Sequence, residues 1–305
     1  MIKKINQKIY YYLLPFLLGG ITSFSLPPYN FFLINFLTFP ILLFILIEVQ
    51  KKLNSIWLNF KIGWLFGIGY FLLNIYWIVH SLTFEDIFKP FIPFALVLIP
   101  SFLGLFYGFI TLIVSRFKLK KDLSSILIFS ITFAVIEFIR GFILGGFPWN
   151  LIVYSWANYL NFLQILSIIG TYSLNLISIT IFLFPLLIVF EKKIKFKIFL
   201  LIFLIFTLIC NNYYGLWKIK NDEKFYSEFQ DFKIKIISPK ISIDRFFEYN
   251  NEGVIIEELA ELSNPDTSQK TIFVFPEGAL AGINLDRLKN FKEIFSNKFS
   301  DKHTI

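Results

Sequence analysis

The sequence predicts a multi-pass α-helical membrane domain of about seven spans, followed by a smaller α/β domain. Of its 305 residues, 56% are hydrophobic and only 16% are charged, whereas a soluble domain carries about a quarter charged residues. Apolar runs of about 20 residues, each long enough to cross a bilayer as a helix, recur through the first two thirds. The remainder is polar, with charges of alternating sign. We therefore predict a transmembrane domain over 1–217 and an outer domain over 218–305.

The predicted spans are seven apolar segments. The first follows a basic N-terminal tail and has no small-residue cleavage site behind it, so it is predicted to be retained as a helix. Pro27 and Pro28 end this segment and open a tight turn into the next. The segments run roughly over 8–26, 29–48, 56–80, 90–115, 123–143, 161–189 and 196–214.

The basic residues predict the orientation of the spans. Thirteen of them lie in the N-terminal tail and in alternate loops, whereas only Lys89 and Arg140 lie in the short loops between. By the positive-inside rule, the N-terminus is cytoplasmic and residues 218–305 lie on the outer side. The same loops account for the net charge of +8, so we predict no nucleic-acid partner. The thirteen are Lys3, Lys4, Lys8, Lys51, Lys52, Arg116, Lys118, Lys120, Lys121, Lys192, Lys193, Lys195 and Lys197.

The outer segment alternates strand and helix patterns. Residues 233–238 and 271–277 are strand-like, and 252–262 and 286–299 have helical spacing, an order typical of a parallel sheet. Glu277 directly follows a proline-terminated strand, where parallel sheets place working groups. From position alone, Glu277 is either a surface acid or half of an active site.

The chain offers few metal ligands. It has one cysteine, Cys210, and two histidines, which exclude an intrachain disulfide and a cysteine-based cluster and disfavour zinc. We predict neither a metal nor a cofactor.

Five stretches resemble, in order along the chain, segments of the apolipoprotein N-acyltransferases. They are "GGITSFSLPPYNFF" (19–32), "GWLFGIGYFLLNIYWI" (63–78), "IEFIRGFILGGFPW" (136–149), "LSIIGTYSLNLISI" (166–179) and "FPEGAL" (275–280). The stretch at 136–149 is the specific one. The resemblance implies a nitrilase-like outer domain, here partial, on a membrane base in the bacterial inner membrane, with residues 218–305 in the periplasm.

The resemblance also implies a reaction. These enzymes move an acyl chain from a phospholipid donor to the α-amino group of the diacylglyceryl-cysteine of an apolipoprotein acceptor. A cysteine attacks the ester, a glutamate takes the thiol proton and a lysine stabilises the oxyanion. Glu277 matches the catalytic glutamate. The family's lysine and cysteine lie many tens of residues further on, whereas this sequence ends 28 residues after Glu277, and Cys210 lies in the seventh span. We therefore expect these residues alone to be an incomplete and inactive form.

Predicted substrate contacts lie near the end of the fifth span. Glu137 and Arg140 are three residues apart on one helix face, which fits either a structural ion pair or a contact between Arg140 and a phospholipid headgroup or the outer domain. Gly145 and Gly146 allow an irregular backbone, which is tolerated at membrane depth only where protein covers it or it lines a cavity.

This irregular backbone favours a role in lipid entry for the two aromatic residues beside it, Phe147 and Trp149. Phe247 stands where a family segment ends in a functionally prominent tryptophan. With Arg140, these aromatic residues form the predicted substrate-binding set.

Two other classes of function remain open from the sequence. One is a membrane-tethered nitrilase-like amidase with a soluble substrate, which would not need a lipid-accessible segment at 145–149. The other is a non-enzymatic membrane protein such as a transporter. Transporters usually contain internal repeats, and the sequence shows none.

Overall fold

The computed structural model describes residues 7, 9–228, 232–239, 252–280 and 285–304, without the side chains of 225–228, 252, 285 and 287. The predicted substrate residue Phe247 lies outside the described residues. The chain divides into two compact units, Met1–Lys220 and Asn221–Ile305.

The first unit is helical. Short 3-10 segments, among them Tyr76–Thr83 and Ile152–Trp156, connect several of its α-helices. The α-helices are α1 (Leu14–Ser23), α2 (Asn35–Lys52), α3 (Ile56–Ile75), α4 (Ile92–Val114), α5 (Leu123–Arg140), α6 (Leu160–Leu163), α7 (Leu166–Phe182), α8 (Phe184–Phe190) and α9 (Ile194–Glu228), of which α9 continues past the unit boundary.

The predicted membrane-helical architecture is confirmed. Within the described residues, six helical stretches are long and apolar enough to cross a membrane, and a shorter apolar stretch, Ile9–Ser23, precedes them at the first predicted span. The crossing by Ile9–Ser23 stays a prediction. The six are Phe32–Lys52, Ile56–Thr83, Asp86–Val114, Leu123–Arg140, Leu166–Phe190 and Ile194–Lys224.

Helices α1 and α3 pack backbone against backbone. A Cβ atom added to Gly19 would lie 1.8 Å from the carbonyl oxygen of Phe66, and one added to Gly69 would lie 2.0 Å from that of Phe16. Small residues at such crossings let helices approach closely where lipid removes the hydrophobic drive for association. This contact requires glycine at both positions.

Aromatic rings fill the centre of the bundle. Phe39 of α2 is fully buried and lies within 5.5 to 6.3 Å of the ring centroids of Phe66, Phe133 and Phe182, which come from three other helices. Large apolar side chains such as Phe94 remain exposed on the outside of the bundle. Apolar side chains thus lie both in the centre of the bundle and on its outer surface, as expected for a helix bundle surrounded by lipid.

The second unit contains a three-stranded parallel sheet in the order β1 (Lys233–Ile236), β2 (Thr271–Val274), β3 (His303–Thr304). Helix α10 (Glu252–Ser263) lies between β1 and β2 in sequence, and α11 (Leu285–Leu288) and α12 (Lys292–Lys298) lie between β2 and β3. The predicted parallel pairing of the first two strands is therefore present. Strand β3 was not predicted.

Candidate functional site

A buried ion pair stands at the C-terminal end of α5. The side chains of Glu137 and Arg140 are both 0% exposed, and Nη2 of Arg140 lies 3.5 Å from Oε1 of Glu137. The spacing of three residues puts both groups on one face of the helix. A buried charge is tolerated only when it is paired and hydrogen-bonded. The other hydrogen-bond partners of Glu137 and Arg140 therefore show which parts of the fold the pair connects.

Two polar side chains from other helices complete the shell of Glu137. The hydroxyl of Tyr107, on α4, donates to Oε1 at 2.9 Å, and the amide of Asn175, on α7, donates to Oε2. The oxygen of Asn175 accepts in turn from the backbone N–H of Val153 at 2.9 Å. Glu137 therefore connects α4, α5 and α7 and, through Asn175, the 3-10 segment Ile152–Trp156. We call Tyr107, Glu137, Arg140 and Asn175 the polar core.

Arg140 directs its guanidinium to the loop that follows its own helix. Its Nη1 donates to the carbonyl oxygens of Phe147 at 2.7 Å and Trp149 at 3.0 Å, while the N–H of Phe147 donates to the Arg140 carbonyl at 2.9 Å. The guanidinium carbon also lies 5.2 Å from the ring centroid of Phe71. Arginine suits this position because its fixed fork of donors can serve several acceptors at once.

The loop, residues 141–150, has a backbone that few residues can adopt. Leu144, Gly145, Gly146 and Asn150 have φ values of 55°, 86°, 78° and 56°. A Cβ on Gly146 would lie 2.5 Å from the carbonyl oxygen of Gly141, so this position is restricted to glycine on both counts. Side chains help to hold this irregular backbone: Arg140 donates to the carbonyls of Phe147 and Trp149, and the hydroxyl of Tyr70 donates to that of Asn150 at 2.9 Å. An irregular backbone at membrane depth is tolerated where protein groups serve it in this way.

The loop carries an exposed apolar surface. Leu144 is 81% exposed and Trp149 is 53% exposed. The ring of Trp149 lies 5.2 Å from that of Phe147 and 6.4 Å from that of Trp77. The buried guanidinium of Arg140 therefore contacts the backbone of the residue, nine positions later, that carries the exposed indole ring of Trp149.

The structure brings three of the predicted substrate residues together: Arg140, Phe147 and Trp149. Arg140 is buried, however, and its described contacts are with Glu137, loop carbonyls and two aromatic rings. These contacts make it a positioning residue for the loop, and direct contact with a headgroup stays a prediction. The exposure of Trp149 leaves it accessible to a ligand.

Glu277 follows the central strand of the sheet in the second unit. It is exposed, three residues after the end of β2, and begins a turn in which Gly278 has a φ of 77° and the N–H of Ala279 donates to the Pro276 carbonyl at 3.1 Å. The turn therefore presents the carboxylate beyond the carboxyl edge of a parallel sheet. Its catalytic role stays a prediction.

Two residues of the polar core were not singled out from the sequence. Tyr107 and Asn175 are polar residues inside apolar spans, and such residues usually face the bundle interior and pair with one another. A buried Glu137 needs donors, so these positions could have been nominated as its partners. Among the described residues, no group of three or more His, Cys, Asp or Glu side chains is arranged to hold a metal ion.

Comparison with known proteins yields one consistent set of matches. The sequence model described as the apolipoprotein N-acyltransferase N-terminal domain matches residues 18–182, which include the whole polar core and the loop. An apolipoprotein N-acyltransferase of Brucella melitensis biotype 1 is 28% identical over 275 residues, covering 87% of this chain and 51% of that protein. Proteins of the same name from Rhizobium rhizogenes and Rhodopseudomonas palustris are 31% identical over 179 residues and 26% identical over 273 residues. The first of these two matches covers 57% of this chain and 33% of the relative, and the second covers 86% of this chain and 50% of the relative. This chain spans about half the length of the first of these relatives.

Proposed function

Because the chain belongs to the apolipoprotein N-acyltransferase family, we propose that it serves the transfer of an acyl chain from a phospholipid to the α-amino group of the diacylglyceryl-cysteine of apolipoproteins. The observation that carries the proposal is the polar core. It lies within the family match and holds an exposed tryptophan loop at the end of a membrane helix.

In this proposal, the loop is the place where the phospholipid donor is received. Trp149 and Leu144 offer an exposed apolar surface, and an indole ring is suited to the level of lipid headgroups. Arg140 acts through the loop by fixing the carbonyls of Phe147 and Trp149. Such fixing lowers the cost of ordering the loop around a lipid.

Residues of the second unit are proposed to form part of a nitrilase-like catalytic domain. Its parallel sheet and the position of Glu277 after β2 support this assignment. Glu277 would take the proton of the attacking thiol, because a thiol at its ordinary pKa is a poor nucleophile without a nearby base. Phe247 is proposed as an aromatic substrate contact on the basis of the sequence resemblance alone.

The proposed location is the bacterial inner membrane, with a cytoplasmic N-terminus and residues 218–305 in the periplasm. The distribution of lysine and arginine between alternate loops supports this orientation. It would place the loop 141–150 and Glu277 on the same side of the membrane as the lipoprotein acceptor.

Because residues 1–305 alone are expected to be inactive, the proposal is tested in cells whose own gene, with everything that it encodes, carries Glu277→Gln or, separately, Trp149→Ala. Lipoproteins with a free α-amino group should accumulate in both strains, as read by mass spectrometry of their N-terminal peptides. Glu257→Gln, another exposed carboxylate in the second unit, is the matched control and should leave N-acylation intact.

The same strains separate the proposal from its alternatives. An amidase with a soluble substrate would lose activity with Glu277→Gln but leave lipoprotein N-termini fully acylated. A non-enzymatic membrane protein would show no effect of Glu277→Gln on the lipoproteins. Either pattern would overturn the proposed function.

A further inference from the structure

A pocket lined by basic residues opens at the end of the bundle opposite the polar core. It has a volume of about 750 Å³ and lies where the loop between α2 and α3 meets the loop between α4 and α5. Four of its five cationic residues lie in the loop just before α5. Glu137 and Arg140 are at the C-terminal end of that 18-residue helix, which is about 27 Å long. We call it the basic pocket; its polar lining includes Gln50, Lys51, Arg116, Lys118, Lys120 and Lys121.

We propose that the basic pocket binds the phosphate group of an anionic phospholipid headgroup. The positive-inside rule explains why these loops are basic. It requires only that the charges lie on one side of the membrane, so it does not account for their meeting around one cavity. Two features of the cavity indicate a ligand site: its wall is fixed by hydrogen bonds, and its cations form no salt bridges among the described residues.

The side chain of Gln50 fixes the wall of the pocket. Its Nε2 donates to the carbonyl oxygens of Ser115 at 2.9 Å and Phe117 at 2.7 Å, and its Oε1 accepts from the N–H of Leu119 at 2.7 Å. Further along the same loop, the N–H of Lys120 donates to the hydroxyl of Ser125 at 2.8 Å. A loop held by four hydrogen bonds needs little further ordering when it binds a ligand.

Within the described residues, none of the cations in the pocket forms a salt bridge, and Lys121 lies over the ring of Phe44 at 5.0 Å from its centroid. The nearby acids are already engaged: Glu48 pairs with Lys52 at 2.7 Å, and Asp122 accepts from the N–H and hydroxyl of Ser125, each at 3.0 Å. Like charges gathered around one cavity repel one another, and an anion relieves that repulsion. Phosphate oxygens accept charge-assisted hydrogen bonds from both arginine and lysine.

The surroundings of the pocket favour a lipid over free phosphate as the source of that group. Leu53, Trp57 and Phe117, all beside the basic loops, are 49%, 69% and 48% exposed. Trp57 is an aromatic residue at the start of a membrane helix, a position typical of the headgroup level. Free phosphate would make no favourable contact with these apolar side chains, whereas the acyl chains of a lipid would pack along them. Basic pockets between helices on the cytoplasmic side are known to bind anionic headgroups.

The test measures lipid binding to the full chain in zwitterionic detergent by native mass spectrometry. Short-chain phosphatidylglycerol, short-chain phosphatidylcholine and inorganic phosphate are titrated separately. The test variant is the triple substitution Arg116→Gln, Lys118→Gln and Lys120→Gln. The matched control, Lys192→Gln, Lys193→Gln and Lys195→Gln, removes three exposed charges at and just after the loop between α8 and α9, outside the pocket.

We expect saturable binding of phosphatidylglycerol, with phosphatidylcholine and phosphate far weaker. Each basic residue near an anionic lipid is worth about fivefold in affinity, so the triple substitution should cost roughly a hundredfold, and the control only a few fold. Gln50→Leu keeps the net charge but removes the clamp, and it should also weaken binding. Equal losses in the triple variant and the control would show diffuse attraction and overturn the proposal. Inorganic phosphate binding as tightly as phosphatidylglycerol would overturn the lipid as its source.

Discussion

The sharpest test of the polar core is the substitution Arg140→Met, which keeps most of the side-chain volume and removes the charge. In the folded protein, Arg140 pairs with Glu137 where both side chains are 0% exposed. The variant leaves that carboxylate buried with donors only from Tyr107 and Asn175. Breaking a buried ion pair by removing one partner costs about 3–5 kcal/mol.

This cost should appear as a lower unfolding temperature. For a chain of this size, each kcal/mol shifts the midpoint by about 2–4 °C, so the expected loss is roughly 6–20 °C. The assay is thermal unfolding in zwitterionic detergent, followed by tryptophan fluorescence. Arg116→Met is the matched control because Arg116 is exposed, and surface substitutions usually change stability by less than about 0.5 kcal/mol.

A double variant separates the charge from the packing. Glu137→Gln combined with Arg140→Met removes both charges and keeps an acceptor for Tyr107, so it should recover about half of the loss. If Arg140→Met unfolds within 2 °C of Arg116→Met, the ion pair is not the support described here. If the double variant is less stable than Arg140→Met, the uncompensated carboxylate is not the cause of the loss.

Three further predictions follow from the fold. Gly19→Ala should destabilise the protein by about 1–3 kcal/mol, as overpacking does. Gly20→Ala should be nearly neutral in the same unfolding assay, because its new Cβ would lie 3.3 Å from a Leu73 side-chain carbon and 3.8 Å from the Gly69 carbonyl oxygen; equal effects would contradict the close α1–α3 contact. Reporter fusions at Lys120 and at Asn221 should report opposite compartments, and one shared compartment would refute the orientation. In the second unit, hydrogen bonds from the hydroxyl and then the N–H of Ser268 hold the pKa of Asp266 below its usual value. The stability that Asp266 contributes is therefore complete above about pH 3.9, the unfolded value, and is lost as the pH falls through the lower folded value; Asp266→Asn should remove that part of the acid dependence, and an unchanged profile would contradict it.

The helical bundle was predictable because hydropathy and charge act on long segments. The runs of apolar residues had to become helices, since lipid offers no partner for backbone groups. The prediction of helix boundaries was less complete where a single residue interrupts the helical backbone. The predicted span over 161–189 is in fact three helices, and Gly170, with a φ of 75°, interrupts α7.

The candidate site was predictable only in part. The three-residue spacing of Glu137 and Arg140 indicated a pair, but the acceptors of Arg140 are backbone carbonyls seven and nine residues later. Their positions depend on the positive φ values at Leu144, Gly145 and Gly146. The two glycines indicated an irregular backbone, but the sequence indicated neither the φ of Leu144 nor which carbonyls would face Arg140. Strand β3, with two residues, is too short to give a periodic signal.

The most direct test of the central claim is to map where a phospholipid with a photoreactive acyl chain crosslinks to the protein. We predict that peptides covering residues 141–156 carry the label in the wild type and in Lys192→Met, an exposed control outside the basic pocket, and that unlabelled phospholipid competes for it. Arg140→Met should lose most of this label at a temperature where it remains folded, because the loop is no longer held. Label spread evenly along the exposed helices, or equal labelling of the loop in Arg140→Met and the wild type, would contradict the claim that the polar core positions this loop for a lipid.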